Sequence, residues 1–289
     1  ALKAIEMEED PNLLVLSSDH FIGDQNQFIR VINSGVQYAN EERLVTFGVI
    51  PDCPDTGYGY IKSHIPLDGS ILNGANIDSF NEKPDFETAK QLIKDKRYTW
   101  NSGMFIFKAN LILKEIENYA PDILKYCKEA LEEELFDLDF QRLKIDSFKK
   151  CPNISIDIAV MEKTNIGTVL PLDAKWTDIG SWDSVWKISK KDNNNNYIEG
   201  KVLAKNTKNC YLRGEKILIT TIGIEDLIIV DTEDALLVVK RGEKWVLNPF
   251  SGKCRGPVGA TSCFEGCNTS ISMPRAEWRC LRVSASSYR

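Results

Sequence analysis

The chain has 289 residues, a formal net charge of −6 and 43% hydrophobic side chains. This length allows a sizeable core and more than one domain. Acidic and basic side chains are interspersed, so the sequence shows neither the basic stripe of a nucleic-acid-binding protein nor the polybasic segment of a membrane-binding one. No apolar run is long enough to span a membrane and no signal peptide is recognisable, so we expect a soluble cytoplasmic protein.

The two ends of the chain do not resemble the ends of a natural domain. The chain lacks an initiator Met and opens with what looks like the second half of an amphipathic helix, so we expect it to be part of a longer protein. Hydrophobic periodicity fades from about Asn248 onward, and residues 246–289 are predicted to be a frameshifted or disordered tail. The cysteines lack disulfide or zinc-binding spacing, which favours reduced thiols.

Residues 13–16 form a short apolar run that predicts a strand buried on both faces of a parallel sheet. The run is followed by Asp19 and His20, and ligands of open α/β sheets gather beyond the carboxyl ends of the strands. Asp19 is therefore a candidate metal ligand, although an Asp after a strand can also cap the next turn. The segments that follow alternate between helix (25–40, 86–96, 110–134) and strand (44–50, 104–107, 166–172).

The loop at 51–61 follows the second predicted strand and carries Gly57, Tyr58, Gly59 and Tyr60. The glycines allow the backbone to approach a planar or polar ligand, and the tyrosines supply ring contacts and hydroxyl groups. A hairpin with glycine turns explains the same composition, so this loop alone does not decide between a ligand site and a turn.

Two further stretches place polar side chains beside predicted strands. Glu82 and Lys83 precede Pro84, which favours an extended backbone at Lys83 and divergent side chains. The carboxylate suits sugar hydroxyls and the ammonium suits a phosphate, but a solvated surface ion pair is the alternative. Asn101, at the start of a buried strand, supplies both a donor and an acceptor for a sugar hydroxyl.

Two more carboxylates lie in the second half of the chain. Asp157 precedes a short predicted helix, and Asp178 precedes Gly180 and Ser181, a predicted helix N-cap. Asp178 and Asp19 each follow a strand and could share one Mg²⁺, an ion that proteins hold with one or two carboxylates plus substrate phosphates. Short, closely spaced strands after residue 196 predict a small all-β module, either a β-solenoid or a sheet.

Taken together and in order, these motifs resemble those of the mannose-1-phosphate guanylyltransferases, particularly the bacterial type that can be fused to a phosphomannose isomerase. The resemblance covers about residues 1–243 and implies an α/β fold. It implies a Rossmann-like nucleotidyltransferase domain at 1–195, with a mixed, mostly parallel sheet and without its N-terminal part, and a left-handed β-helix-like module at 196–245. The segments that carry it are Leu-Ser-Ser-Asp-His at 16–20, Thr-Gly-Tyr-Gly-Tyr-Ile at 56–61, Phe-Asn-Glu-Lys-Pro at 80–84, Trp-Asn-Ser-Gly-Met-Phe at 100–105, Ser-Ile-Asp at 155–157 and Trp-Thr-Asp-Ile-Gly-Ser-Trp at 176–182.

The resemblance implies transfer of GMP from GTP to mannose 1-phosphate, giving GDP-mannose and pyrophosphate, with a homodimer as the expected assembly. It assigns catalysis to Asp19, Lys83 and Asp178, with Asp19 and Asp178 holding Mg²⁺ and Lys83 binding the sugar phosphate. The implied substrate-binding residues are Gly57, Tyr58, Gly59, Tyr60, Glu82, Lys83, Asn101, Asp157 and Gly180.

The sequence departs from the family pattern at its start. The family's Gly-rich segment ending in Arg-Leu-Trp-Pro, which cradles the triphosphate, has no match here, and the guanine contacts lie largely in the same part. Two alternatives therefore stay open, a nucleotidyltransferase for another hexose 1-phosphate and a non-catalytic sugar-phosphate-binding paralogue. For the same reason we expect this chain alone to be inactive.

Overall fold

The computed structural model describes residues 1–132, 135–137, 140–233 and 235–242. The predicted tail at 246–289 lies outside these residues. The chain folds as two compact units, of which the first holds Ala1–Ser17 and Ile22–Trp176 and the second holds Ser18–Phe21 and Thr177–Arg289. No helix of the described part is both long enough and apolar enough to cross a membrane.

The first unit is an α/β structure built on a six-stranded sheet. The strands of this sheet are β1 (Asn12–Val15), β3 (Leu44–Val49), β4 (Tyr60–Ser63), β5 (Ala75–Asn81), β6 (Tyr98–Lys108) and β9 (Gly167–Leu172). Four short strands form two separate pairs, β2 (Phe21–Ile22) with β10 (Trp176–Thr177) and β7 (Leu135–Asp137) with β8 (Phe140–Arg142). The helices are α1 (Leu2–Met7), α2 (Gln25–Asn40), α3 (Phe86–Leu92), α4 (Ala109–Tyr119), α5 (Pro121–Leu131) and α6 (Ile145–Phe148), with a π-helical turn at Asp157–Met161.

The sheet order is β1-β6-β3-β9-β5-β4, with a further pairing between β6 and β4. Only β3 and β9 pair in parallel, and the other described pairs of this sheet are antiparallel. The prediction of a mixed sheet is confirmed, but the prediction that it is mostly parallel is wrong. The physical reason is that β6 runs between β1 and β3 in the opposite direction, and that a loop rather than a crossover helix joins β4 to β5.

The strand at 13–16 was predicted to be buried on both faces, and this prediction is wrong. Strand β1 lies at the sheet edge with β6 as its one neighbour in the sheet, and the side chains of Leu14 and Val15 are 39% and 43% exposed. An apolar run of four residues cannot distinguish a central strand from an edge strand, because both bury part of their side chains.

Helices cover both faces of the central strands, as the sequence alternation predicts. Val45 and Phe47 pack with α2 residues on one face, and Leu44 packs with residues of α4 and the π-helical turn on the other. This alternation follows from the two-residue period of a strand. Helix α2 begins where predicted, since the Asp24 carboxylate accepts a hydrogen bond from the Gln27 backbone N–H at 2.9 Å.

The second unit combines one helix with four strands, namely α7 (Trp182–Ile188), β11 (Tyr197–Lys205), β12 (Tyr211–Ile222), β13 (Leu227–Asp231) and β14 (Leu236–Lys240). Strands β11, β12 and β13 pair in parallel across short connections, and β14 closes the sheet in antiparallel orientation. The rings of Tyr197 and Tyr211 stack at 4.8 Å. The predicted N-cap of α7 is confirmed, because Ser181 Oγ accepts from the Ser184 N–H at 3.1 Å.

Candidate active site

Strand register in the first unit aligns three of the predicted site residues. Tyr60 of β4 lies between Asn81 of β5 and Trp100 of β6, so the next position along this row brings Gly59 between Glu82 and Asn101. The backbone N–H of Asn101 donates to the Gly59 carbonyl at 2.8 Å, which extends the pairing by one residue. Residues that are far apart in sequence therefore form one row, with Gly59 and Glu82 at the ends of β4 and β5 and Asn101 at an inner position of β6.

The Glu82 carboxylate lies close to the position that a side chain at Gly59 would occupy. A Cβ atom at Gly59 would lie 2.5 Å from Glu82 Oε2 and 3.7 Å from the Cβ of Asn101. Contacts under about 3.0 Å are not seen for real Cβ atoms, so any other residue would displace the Glu82 carboxylate. Gly59 is buried and the Glu82 side chain is 45% exposed, so the carboxylate lies over the glycine with one side open to solvent.

Asp157 joins this row from the π-helical turn. Its Oδ1 accepts a hydrogen bond from Asn101 Nδ2 at 2.9 Å. Behind it, Ala159, Val160 and Met161 are buried in the core, which anchors the turn. π-Helical turns are rare and occur frequently at functional sites. The polar cluster of the first unit consists of Gly59, Glu82, Asn101 and Asp157.

Lys83 does not have the extended conformation that Pro84 was expected to impose. Its φ is +44°, in the left-handed region, and its Nζ lies 3.6 Å from Glu82 Oε1, so the prediction of divergent side chains is wrong. The left-handed turn brings the ammonium back beside the carboxylate. Non-glycine residues with positive φ carry strain of about 1–3 kcal/mol and cluster at functional sites. The Lys83 side chain is 63% exposed and faces solvent.

The tyrosines of the 51–61 loop have different environments. The Tyr60 side chain is fully buried and its hydroxyl donates to the Asp55 carbonyl at 2.8 Å. Burial raises the pKa of Tyr60. Tyr58 is half-buried, with its ring centroid 5.0 Å from that of Trp100 and 5.5 Å from that of Trp176. The side chain of Tyr60 therefore holds the loop in place, whereas Tyr58 belongs to an aromatic group.

Gly57 is exposed at the turn of the same loop, where its backbone N–H donates to the Asp55 carboxylate at 2.7 Å. This hydrogen bond across two residues is an Asx turn, which fixes the path of the chain without a buried core. The loop is thus held from both ends, by the Asp55 carboxylate at Gly57 and by the Asp55 carbonyl at Tyr60.

In the second unit the structure brings Asp19, His20 and Asp178 together. Burial lowers the pKa of His20, and the negative charges of Asp19 and Asp178 both act on the same ring in the opposite direction. Asp178 is held by a tight local turn, since its Oδ1 accepts from the Gly180 N–H at 3.0 Å. A Cβ at Gly180 would lie 2.9 Å from Asp178 Oδ2, so this glycine also makes room for a carboxylate.

The donor chemistry of this carboxylate pair fits Mg²⁺. The charges of both carboxylates act on the His20 ring, their oxygens are hard ligands, and Mg²⁺ takes its remaining ligands from water and substrate phosphates. No group of three or more His, Cys, Asp or Glu side chains within the described ranges is arranged to hold a metal by itself.

Sequence reasoning missed two residues behind the polar cluster. The Gly103 backbone N–H donates to Asn101 Oδ1 at 3.1 Å, and the buried Thr46 hydroxyl lies 3.4 Å from the same oxygen. The Asn-Ser-Gly sequence could have indicated Gly103, because its φ of +68° is one that glycine favours. Nothing in the sequence around Thr46 distinguishes it from an ordinary core residue, so it becomes visible only in the fold.

The first unit thus carries a cluster of two carboxylates and an amide beside strands β4, β5 and β6, and the second unit carries a separate pair of carboxylates. The chain belongs to the nucleotidyl transferase family, whose model matches residues 1–195. Residues 200–243 match the model of the MannoseP isomerase/GMP-like beta-helix domain, which agrees with the parallel pairing of β11, β12 and β13.

Within the nucleotidyl transferase family, the chain is similar to curated proteins of one kind. The chain is 46% identical over 242 residues to a mannose-1-phosphate guanylyltransferase of Salmonella montevideo, covering 82% of this chain and 51% of the relative. It is 41% identical over 242 residues to the mannose-1-phosphate guanylyltransferase of Escherichia coli (strain K12), covering 83% of this chain and 51% of the relative. The chain thus spans about half the length of the curated relatives it matches.

Solved structures with the same fold include a protein of Thermus thermophilus described as a mannose-1-phosphate geranyltransferase. It shares 27% identity at a TM-score of 0.68, covering 82% of this chain and 67% of that one. A Helicobacter pylori protein described as a mannose-6-phosphate isomerase shares 35% identity at a TM-score of 0.53, covering 61% of this chain and 67% of that one.

Proposed function

We propose that the protein transfers GMP from GTP to mannose 1-phosphate, giving GDP-mannose and pyrophosphate. The observation that carries the proposal is the polar cluster of Gly59, Glu82, Asn101 and Asp157 in a chain 41–46% identical to named mannose-1-phosphate guanylyltransferases. Carboxylates and an amide in one row are the groups that bind sugar hydroxyls.

In this proposal the polar cluster binds the sugar and Lys83 binds its phosphate. Glu82 and Asp157 accept hydrogen bonds from the hydroxyls, and the exposed Lys83 ammonium beside Glu82 is a compact positive charge for the phosphate. The ring of Tyr58, held against Trp100 and Trp176, offers an aromatic surface for the substrates.

The reaction needs charge neutralisation more than a protein nucleophile. A phosphate oxygen of mannose 1-phosphate attacks the α-phosphorus of GTP, the bond from that phosphorus to the β-phosphate oxygen breaks, and pyrophosphate leaves. Two anions must approach each other, and the positive charge of Lys83 offsets part of their repulsion. Asp19 and Asp178 would hold Mg²⁺, which supplies Lewis-acid stabilisation of the phosphate charge when it is bound.

The proposal is tested by measuring the activity of the natural gene product, which contains the residues of the proposed site. GTP, mannose 1-phosphate and Mg²⁺ are incubated with the protein, and we expect GDP-mannose by chromatography and one pyrophosphate per product. Parallel reactions replace mannose 1-phosphate by glucose 1-phosphate and GTP by the other nucleoside triphosphates. Faster turnover with a different pair of substrates would refute the proposed specificity, and pyrophosphate release without any sugar phosphate would refute the transfer itself.

A further inference from the structure

The side-chain amide of Asn101 can adopt only one orientation in this fold. Its Oδ1 accepts from the Gly103 backbone N–H at 3.1 Å, and its Nδ2 donates to Asp157 Oδ1 at 2.9 Å. A backbone N–H can only donate a hydrogen bond and a carboxylate can only accept one. Exchanging the amide oxygen and nitrogen of Asn101 would therefore place a donor against the Gly103 N–H and an acceptor against the Asp157 carboxylate. Asn101 therefore directs its NH₂ group toward Asp157.

A second donor covers the same oxygen from inside the protein. The fully buried Thr46 hydroxyl lies 3.4 Å from Asn101 Oδ1 and 3.1 Å from the Met104 carbonyl oxygen, so its one proton is shared between them. A carbonyl oxygen has two lone pairs, and those of Asn101 Oδ1 both face protein donors. What remains for a ligand is the second N–H of the amide.

We propose that Gly103 and Thr46 are positioning residues that turn the Asn101 oxygen into the protein. The polar cluster then meets a ligand with a donor on Asn101 and with acceptors only on the carboxylates of Glu82 and Asp157. A ligand group that contacts those carboxylates must donate a hydrogen bond, so a hydroxyl or an ammonium fits, whereas a fluorine or a methyl ether does not. The inference rests on the proposed function only for its probe, mannose 1-phosphate.

Ligand analogues test the direction of the hydrogen bonds without needing turnover. The affinity of the protein for mannose 1-phosphate is measured by titration calorimetry, together with analogues in which one ring hydroxyl is replaced by fluorine, a methoxy group or an amine. We expect at least one ring position where fluorine and methoxy each weaken binding about tenfold or more, while the amine is tolerated. Undiminished binding of the fluorinated analogues at every position would overturn the inference.

Matched variants test the two positioning residues. Gly103 has a φ of +68° and Gly223 of the second unit has a φ of +65°, and a Cβ would meet nothing within 4 Å at either position. We expect Gly103→Ala to weaken mannose 1-phosphate binding by about three- to tenfold, since a tilted N–H loses its contact to Asn101, and Gly223→Ala to leave it unchanged. GTP binding should stay the same in both variants.

The hydroxyl of Thr46 has its own control in Thr99, which is also fully buried and whose Oγ1 finds no hydrogen-bond partner among the described residues. Thr46→Val should weaken sugar phosphate binding about threefold, Thr46→Ser should restore it, and Thr99→Val should leave it unchanged. Equal effects of Thr46→Val and Thr99→Val would show that only packing matters and would overturn the role of Thr46.

A spectroscopic readout separates this inference from the proposed function. The side-chain NH₂ resonances of Asn101 are followed by NMR in the protein without ligand. We expect them to shift in Gly103→Ala and in Thr46→Val and to stay in place in Gly223→Ala. If mannose 1-phosphate does not bind and these shifts are nevertheless seen, the proposed function fails and the positioning role stands. Unchanged Asn101 resonances in both site variants would overturn the positioning role whatever the protein binds.

Discussion

Each unit of this protein places a glycine against a carboxylate of the proposed site, but the two glycine–carboxylate pairs are built differently. In the second unit Gly180 lies two residues after Asp178, and its own backbone N–H donates to that carboxylate at 3.0 Å. In the first unit Gly59 and Glu82 come from neighbouring strands and meet because β4 and β5 pair in one register. The Asp178 carboxylate is held by local geometry and the Glu82 carboxylate by the sheet.

The difference has a consequence for how each site tolerates change. A turn of a few residues can form wherever its own sequence is intact, so the orientation of Asp178 depends on few other parts of the chain. The position of Glu82 depends on strand register, and a shift of one residue would turn its side chain to the other face of the sheet. The polar cluster of the first unit is therefore the part of the proposed site that we expect to be more sensitive to distant mutations.

The largest effect is expected from Asp178→Asn. The amide keeps an oxygen to accept from the Gly180 N–H and so preserves the turn, but it removes the negative charge that would hold Mg²⁺. Loss of a metal ligand removes several kcal/mol of charge stabilisation, so kcat should fall about a hundredfold or more while the melting temperature changes little. Asp173→Asn, at an exposed carboxylate, is the control. Near-normal turnover of Asp178→Asn at limiting Mg²⁺ would refute the assignment.

Lys83→Ala tests the phosphate contact beside the sheet-held carboxylate. A charge-assisted hydrogen bond is worth about 1.5–3 kcal/mol, so the KM for mannose 1-phosphate should rise about ten- to a hundredfold. The KM for GTP should change little, and Lys90→Ala on α3 should affect neither substrate. An equal rise in both KM values would indicate a shared or structural role for Lys83 instead.

The comparison itself is tested by adding one methyl group at each glycine. Gly59→Ala displaces the Glu82 carboxylate, whose Oε2 would lie 2.5 Å from the new atom, and should raise the KM for mannose 1-phosphate about tenfold. Gly180→Ala crowds Asp178 Oδ2 at 2.9 Å and should instead raise the Mg²⁺ concentration for half-maximal rate, by about threefold. Each variant is the control for the other. A change in the same parameter in both would contradict the division of roles.

The smallest effect concerns the backbone at Lys83. Its φ of +44° is unfavourable for any residue with a Cβ, so Lys83→Gly should be more stable than Lys83→Ala by about 1 kcal/mol in urea unfolding. Both variants lose the ammonium and should show the same KM for mannose 1-phosphate. If Lys83→Ala proved as stable as Lys83→Gly, the left-handed conformation would carry no strain.

The sequence predicted the features that depend on local chemistry. The helix at 25–40 and the cap at Ser181 can be recognised from nearby residues, and the structure contains both. The register that brings Gly59 beside Glu82 and the antiparallel course of β6 depend on contacts between distant segments, so no local pattern carries them. Lys83 has a left-handed backbone conformation, whereas a residue before proline generally prefers an extended one. Only tertiary context can override that preference.

The π-helical turn at Asp157–Met161 makes the length of this segment matter as much as its composition. A π-helical turn is about one residue longer than an α-helical turn, so deleting a single residue would allow an ordinary helix to form. That helix would keep Asp157 on nearly the same face, because one π-helical turn and one α-helical turn each bring the chain round about once, whereas deletion of a second residue would rotate Asp157 by about 100° relative to the apolar residues. In evolutionary terms, a two-residue deletion here would abolish the Asn101 contact without changing any side chain of the polar cluster. We therefore expect insertions and deletions in this short segment, more than substitutions, to separate proteins that bind the sugar from those that do not.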